Sequence, residues 1–169
     1  MAELKNKTQT MEALRSTAEQ VIQRAVRRGV SGADVLIRQD DTFSVNVRMG
    51  DVETLKESIS RGLLLRVFVG KRTATSHTSD LSEALVERLV DETVEMAGLT
   101  SEDESGGLPD ASLFSNAFPD LDLLDTSWET LTTDQRIDLA RRAEAAALSV
   151  DSAIVNSEGG SFDYTRSRT

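Results

Sequence analysis

The 169-residue sequence contains no cysteine, one histidine, one tryptophan and two prolines, and aromatic residues make up 4% of it. Without cysteine there is no disulfide and no thiolate metal site. With His77 as the sole histidine, a multi-histidine zinc site is out of reach within one chain unless other ligands join. No apolar run approaches the ~20 residues that cross a bilayer. The start, Met1 to Thr10, is polar and lacks the apolar core of a secretory signal. The expectation is a soluble, cytoplasmic protein with no membrane partner.

Positive charge is missing over one long interval. Between Arg88 and Arg136 there is no Lys or Arg, while twelve acids lie in residues 89–135; the net charge is −10, so the remaining residues sum to +2. The acidity is local. Phosphate binding needs clustered basic side chains, and Arg27-Arg28, Lys71-Arg72 and Arg141-Arg142 are isolated pairs, so direct nucleic-acid binding is not expected. The acidic interval reads as a solvated loop, with a docking surface for a basic partner as the alternative. A hydrophobic content of 38% over this length fits one domain, or one and a small appendage, burying ~70% of its unfolded surface.

Periodicity supplies the elements. Leu14, Ala18, Val21, Ile22, Ala25 and Val26 line one stripe of a first helix, which Gly29 ends. Ala33 to His77 then reads as about five short strands, with turns expected at Asp40-Asp41, Gly50-Asp51, Arg61-Gly62 and Gly70-Lys71. Ala33, Val35 and Ile37, and then Phe43, Val45, Val47 and Met49, alternate with polar residues, so each run buries one face. Such short connections hold no crossover helix, which makes neighbouring strands antiparallel. Leu63 to Val69 is apolar on both parities except at Arg66. It reads as a central strand covered on both faces, with Arg66 obliged to find a carboxylate or carbonyl.

A second helix is expected from Asp80, as N-cap with Glu83 three residues on, to Gly98. Residues 99–131 form a long acidic connection containing Pro109 and Pro119, with apolar anchors at Leu108, Phe114, Phe118, Leu121, Leu123 and Leu124 and Trp128 plugging a core edge. A third helix starts at Thr132, capped with Gln135, and carries a stripe of Ile137, Ala140, Ala143 and Ala147. Ser152 to Ser157 and Ser161 to Thr165 read as a hairpin around Glu158-Gly159-Gly160. The hairpin strand runs out at Thr169, which points to a boundary inside a longer protein. The expected fold is α+β, a mostly antiparallel sheet (a meander of about five strands plus a C-terminal hairpin) with helices packed on it.

Chemical motifs fail one by one. Gly70-Lys71-Arg72-Thr73 lacks the phosphate loop's first glycine, because position 65 is Leu, and Arg72 stands where the hydroxyl belongs. Asp120, Asp122 and Asp125 have no turn glycine between them and no Glu at the calcium-loop offset. His77 reads as a strand-end residue. Arg66 serves structure in preference to binding a substrate carboxylate. No catalytic, cofactor-binding or metal-binding residue emerges.

Ala33-Asp34, the run Val47-Arg48-Met49-Gly50-Asp51-Val52-Glu53 and Gly62 to Val67 together resemble the N-terminal domain of the TldD/PmbA family. Leu108-Pro109-Asp110, Asp120 to Leu123, Arg142 to Leu148, and Asp151 with Val155 to Gly159 resemble its PmbA (TldE) branch, so the likeness extends over nearly the whole chain, 1–169, as a single domain. The resemblance implies a cytoplasmic zinc metallopeptidase system, also described as a modulator of DNA gyrase, that degrades or processes peptides. It implies two-domain subunits in which a TldD-type subunit carries the zinc and a PmbA-type subunit pairs with it, or the subunit pairs with itself. The family's His-Glu-x-x-x-His motif belongs to the C-terminal domain and is absent from this chain. This segment would then hold no cofactor and act structurally, enclosing substrate or docking a partner. The competing reading is a free-standing α+β module that binds peptides or proteins by strand addition.

Overall fold

The computed structural model describes residues 10–115, 117, 119–123 and 125–169. Two expected anchors, Phe118 and Leu124, and the polar start at 1–9 lie outside the described residues. The elements are α1 (Met11–Arg27), β1 (Gly32–Arg48), β2 (Asp51–Val69), β3 (Arg72–Thr78), α2 (Glu83–Leu99), α3 (Thr133–Leu148) and β4 (Gly160–Arg168), with single 3-10 turns at Ala111–Leu113 and Ser127–Thr130. The sheet has four strands in the order β3-β2-β1-β4. The fold is α+β with an antiparallel sheet, as expected, but with fewer strands.

The strand count drops because two expected turns are strand interior. β1 runs through Asp40-Asp41 and β2 runs through Arg61-Gly62. Period two is unbroken across the first: Ile37 and Gln39 are buried, and so are Phe43, Val45 and Val47. Asp40 is satisfied in place, by the Arg38 guanidinium and the Ser167 hydroxyl. Asn46 touches Glu53 and Asp34 touches Arg66. The first pair joins even to odd positions and the second even to even, so one strand carries an unmatched residue between them. That is the count a β-bulge leaves, and it lies in the stretch holding both expected turns.

The chain divides into two compact units. In the first (residues 10–40, 59–115 and 167–169 of those described), α1 and α2 pack on one side of the adjoining strands. Leu14, Val21 and Ala25 of α1 and Val86, Leu89, Val90 and Ala97 of α2 join Ile37, Leu63, Leu65, Val67 and Ala74 in one core. Thr10 caps α1 through its side chain, and Gly29 ends the helix at φ 82°. Val26, expected in the buried stripe, is exposed. α2 begins at Glu83 with Ser82 as its N-cap, two residues after the expected cap, because the Asp80 carboxylate accepts from the Ser82 N–H two residues on, forming a local turn instead of a helix cap. Residues 63–69 are central in the sheet but covered on one face only: Leu64 and Arg66 are exposed. On that second face Phe68 alone is buried, with Leu108 beside it over Gly32. Arg66 meets the expected carboxylate, Asp34 Oδ2, at 2.8 Å.

In the second unit (residues 41–58, 117, 119–123 and 125–166), Phe43, Val45, Val47 and Ala140 form the core, with Ile137, Phe162 and Tyr164 against it. The Thr132–Gln135 capping box starts α3 as expected. The buried stripe of α3 is Arg136, Ala140 and Glu144, while Ala143 and Ala147 face out. The helix is therefore rotated relative to its alanine pattern, because its two buried charged groups have partners to reach. Residues 152–157 are not a strand, and β4 pairs with β1. Ser157 is instead drawn to α3, where its hydroxyl donates to Glu144.

Candidate functional site

The residues weighed and set aside as site candidates from the sequence lie scattered. His77 is exposed on β3 opposite Leu64. Gly70 to Thr73 forms the β2–β3 turn and the start of β3, with Gly70 at φ 61°, and Lys71 Nζ donates to the carbonyls of Glu104 (3.0 Å) and Gly106 (3.3 Å). Asp120 and Asp125 accept from the backbone N–H groups of Asp122 and Ser127. Trp128 stacks on Tyr164, centroids 3.8 Å apart, a core-edge position. The expected anchors Phe114, Leu121 and Leu123 are instead exposed. Among the described residues no group of three or more His, Cys, Asp or Glu is placed to hold a metal ion. With one histidine and no cysteine, the donor set does not fit a zinc site. No helix among the described residues is long and apolar enough to cross a membrane.

What the structure does organise is the tip of the β1–β2 hairpin. Met49 and Gly50 both have positive φ, 51° and 82°, which is the two-residue type I′ turn. Their N–H groups converge on one carboxylate: Met49 N donates to Glu144 Oε1 at 2.7 Å and Gly50 N to Oε2 at 2.9 Å. The Ser157 hydroxyl donates to the same group, and Arg141 Nε donates to the Gly50 carbonyl at 2.9 Å. Arg48 Nε donates to the Ser157 carbonyl at 3.1 Å. Glu144 is 3% exposed. Its pKa lies below the usual carboxylate value, chiefly through the Ser157 hydroxyl, then the two turn amides and the nearby Arg48 charge. A carboxylate depressed in the folded state contributes stability that is complete above its unfolded pKa near ~4.3 and is lost as pH falls through the folded value. Glu144→Gln is therefore expected to lower the melting temperature at pH 7 and to shrink the additional loss between pH 5 and pH 3. Parallel pH–melting curves for the two proteins would contradict this.

Beyond that tip, β2 is an edge. β3 pairs with residues 63–69 only, so among the described residues the outer side of Asp51–Ser58 has no strand beside it. All eight are exposed. Asp51, Glu53, Leu55 and Glu57 share one face by alternation, and Glu53 bonds Asn46 Nδ2 at 2.9 Å with Arg48 at 3.7 Å. The edge therefore offers a row of backbone donors and acceptors flanked by acids.

Arg136 is a second buried charge, 5% exposed. Its guanidinium lies over Phe43 (4.8 Å) and Tyr164 (4.9 Å), while Nε has no acceptor. The ring faces offset part of the desolvation cost. Neither Glu144 nor Arg136 was singled out from sequence; a charged residue four positions either side of Ala140 was the available signal.

An antiparallel α+β sheet domain with no metal-binding cluster among its described residues is the class that fold and site define. Residues 33–97 match the PmbA/TldA metallopeptidase domain 1. The chain is 35% identical over 156 residues to the metalloprotease PmbA of Escherichia coli O157:H7, covering 90% of this chain and 34% of that protein. It is 32% identical over 152 residues to a PmbA homolog of Haemophilus influenzae, covering 90% of this chain and 33% of that protein. The chain is thus similar to domain 1 of the PmbA/TldD family. It spans about a third of the length of these relatives. The fold recurs in a candidate modulator of DNA gyrase from Bacteroides thetaiotaomicron, with a TM-score of 0.75, 22% identity, and coverage of 89% of this chain and 38% of that one. It recurs also in TldE from Thermococcus kodakarensis, with a TM-score of 0.64, 13% identity, and coverage of 89% and 37%.

Proposed function

We propose that these residues form the N-terminal domain of a PmbA/TldE-like subunit in a cytoplasmic TldD/PmbA-type metallopeptidase system that degrades or processes peptides. Their role is structural, enclosing substrate or docking a partner. Zinc and hydrolysis belong to a TldD-type partner or to a C-terminal metallopeptidase-type domain outside these 169 residues. The observation that carries this reading is the likeness to metalloprotease PmbA along 90% of the chain, in a segment whose described residues assemble no metal-ligand set. The uncovered sheet face of the first unit, where Leu36 and Leu64 are 50% and 38% exposed beside the Asp34–Arg66 pair, gives a docking role a physical surface.

The test mixes the chain with a TldD-type subunit and zinc, reading complex mass by light scattering and cleavage of an unfolded peptide. The expected result is a complex, cleavage only when the TldD-type subunit is present, and weaker association after Leu36→Asp. Zinc-dependent cleavage by the chain alone would overturn the non-catalytic role, and a chain that never associates would overturn the docking role. A second reading, a free-standing module acting by strand addition, is favoured by the open edge at Asp51–Ser58.

A further inference from the structure

We infer that the edge Asp51–Ser58 accepts an extended peptide segment carrying basic side chains at alternate positions; this rests on the strand-addition reading. The backbone geometry comes first. The two-residue turn at Met49-Gly50 makes Arg48 and Asp51 the closing pair, which in such a hairpin exchanges both backbone hydrogen bonds. Alternation then directs the N–H groups of 51, 53, 55 and 57 toward β1 and those of 52, 54, 56 and 58 outward. An incoming strand meets four free donors and the matching carbonyls on eight exposed residues.

Charge selects the occupant. A second copy adding antiparallel across a two-fold axis must place some residue opposite itself. An axis at Asp51, Glu53, Lys56 or Glu57 opposes that charged residue to its own copy. An axis at Val52 opposes Asp51 to Glu53, one at Thr54 opposes Asp51 to Glu57, and one at Leu55 opposes Glu53 to Glu57. Like charges directly opposite destabilise a strand pair. An axis at Ser58 escapes this, but it sets Asp51 to Glu53 against residues 63–65, which β3 already pairs. Self-addition is therefore disfavoured across the edge, whereas a foreign strand with Lys or Arg opposite Glu57, Glu53 and Asp51 and an apolar residue opposite Leu55 gains from every position on that face.

The test uses the whole chain and three probes: acetyl-Lys-Thr-Val-Thr-Lys-Thr-Lys-amide and the versions with Gln or Glu in place of every Lys. Amide hydrogen exchange by NMR reports the site, and titration at low and high salt reports the affinity. The basic peptide is expected to slow exchange at 52, 54, 56 and 58 with little change at 51, 53, 55 and 57. It should bind about tenfold more tightly than the Gln peptide at low salt, as two to three cross-strand charge pairs allow. Glu57→Lys on the exposed edge should reduce that preference. Equal protection by the Gln peptide would overturn the basic occupant while leaving strand addition standing. Absence of alternating protection with all three probes would overturn both.

Discussion

Gly160→Ala is expected to destabilise the second unit by at least about 3 kcal/mol, at or beyond the upper end for overpacking, because its methyl group has nowhere to go. Gly160 is buried where β4 starts against α3. A Cβ there would fall well inside contact distance of the Ala140 carbonyl oxygen and 2.8 Å from the Glu144 backbone nitrogen. Both obstacles are helix backbone, which cannot swing aside as a side-chain tip would. Relief requires α3 to withdraw from β4, and that withdrawal pulls Glu144 away from the Met49 and Gly50 amides. One added carbon thus reaches the hairpin tip. Urea unfolding gives the magnitude, and faster amide exchange at Met49 and Gly50 gives the route. A melting temperature within about 2 °C of the parent, well short of what a loss of this size produces, would show that α3 can give way freely.

The second large effect is at Phe43, which is fully buried. Phe43→Ala is expected to cost about 3–5 kcal/mol, the usual range for deleting a buried phenylalanine ring. The ring meets Phe162 edge-on at 6.3 Å, stacks on Tyr164 at 5.8 Å and carries the Arg136 guanidinium on its face. Losing it opens a cavity and removes one of the two aromatic faces that compensate a buried cation. Phe43→Leu separates these contributions. It restores most of the volume but not the π face, and should retain a loss of about 1 kcal/mol or somewhat more. Equal stability of Phe43→Leu and the parent would remove the cation–π contribution from the account. The near-ultraviolet signal of Trp128 and Tyr164, stacked nearby, follows the repacking directly.

Much of the fold was legible because periodicity and caps are local. Thr132 with Gln135 marks the start of α3, Gly29 the end of α1, and the alternation from Ala33 to Val47 marks β1. What misled was local too. Asp40-Asp41 and Arg61-Gly62 have turn composition, yet cross-strand partners at Asp40 and an unmatched residue between the Asn46–Glu53 and Asp34–Arg66 pairs absorb them within strands. Residues 63–69 are apolar on both parities, but composition cannot say whether a second face is covered, and Leu64 shows that here it is not. The α3 stripe was misjudged because alanine is comfortable on either side of a helix, so the helix rotation follows from Arg136 and Glu144 finding partners. The likeness to the PmbA/TldD family was legible from the order of several weak motifs. The open edge was not, since an exposed strand with a missing neighbour reads like any other strand.

The interval without a basic residue has a practical corollary. Trypsin cuts after Lys and Arg, so it releases 89–136 as one piece, although much of the connection between α2 and α3 is exposed. Tryptic resistance of that stretch would therefore reflect its spelling and not its folding. A protease that cuts at acidic residues reads it fairly, with exposed acids such as Glu104 and Asp120 among its sites, and any partner that covers the connection will show itself as protection at those bonds.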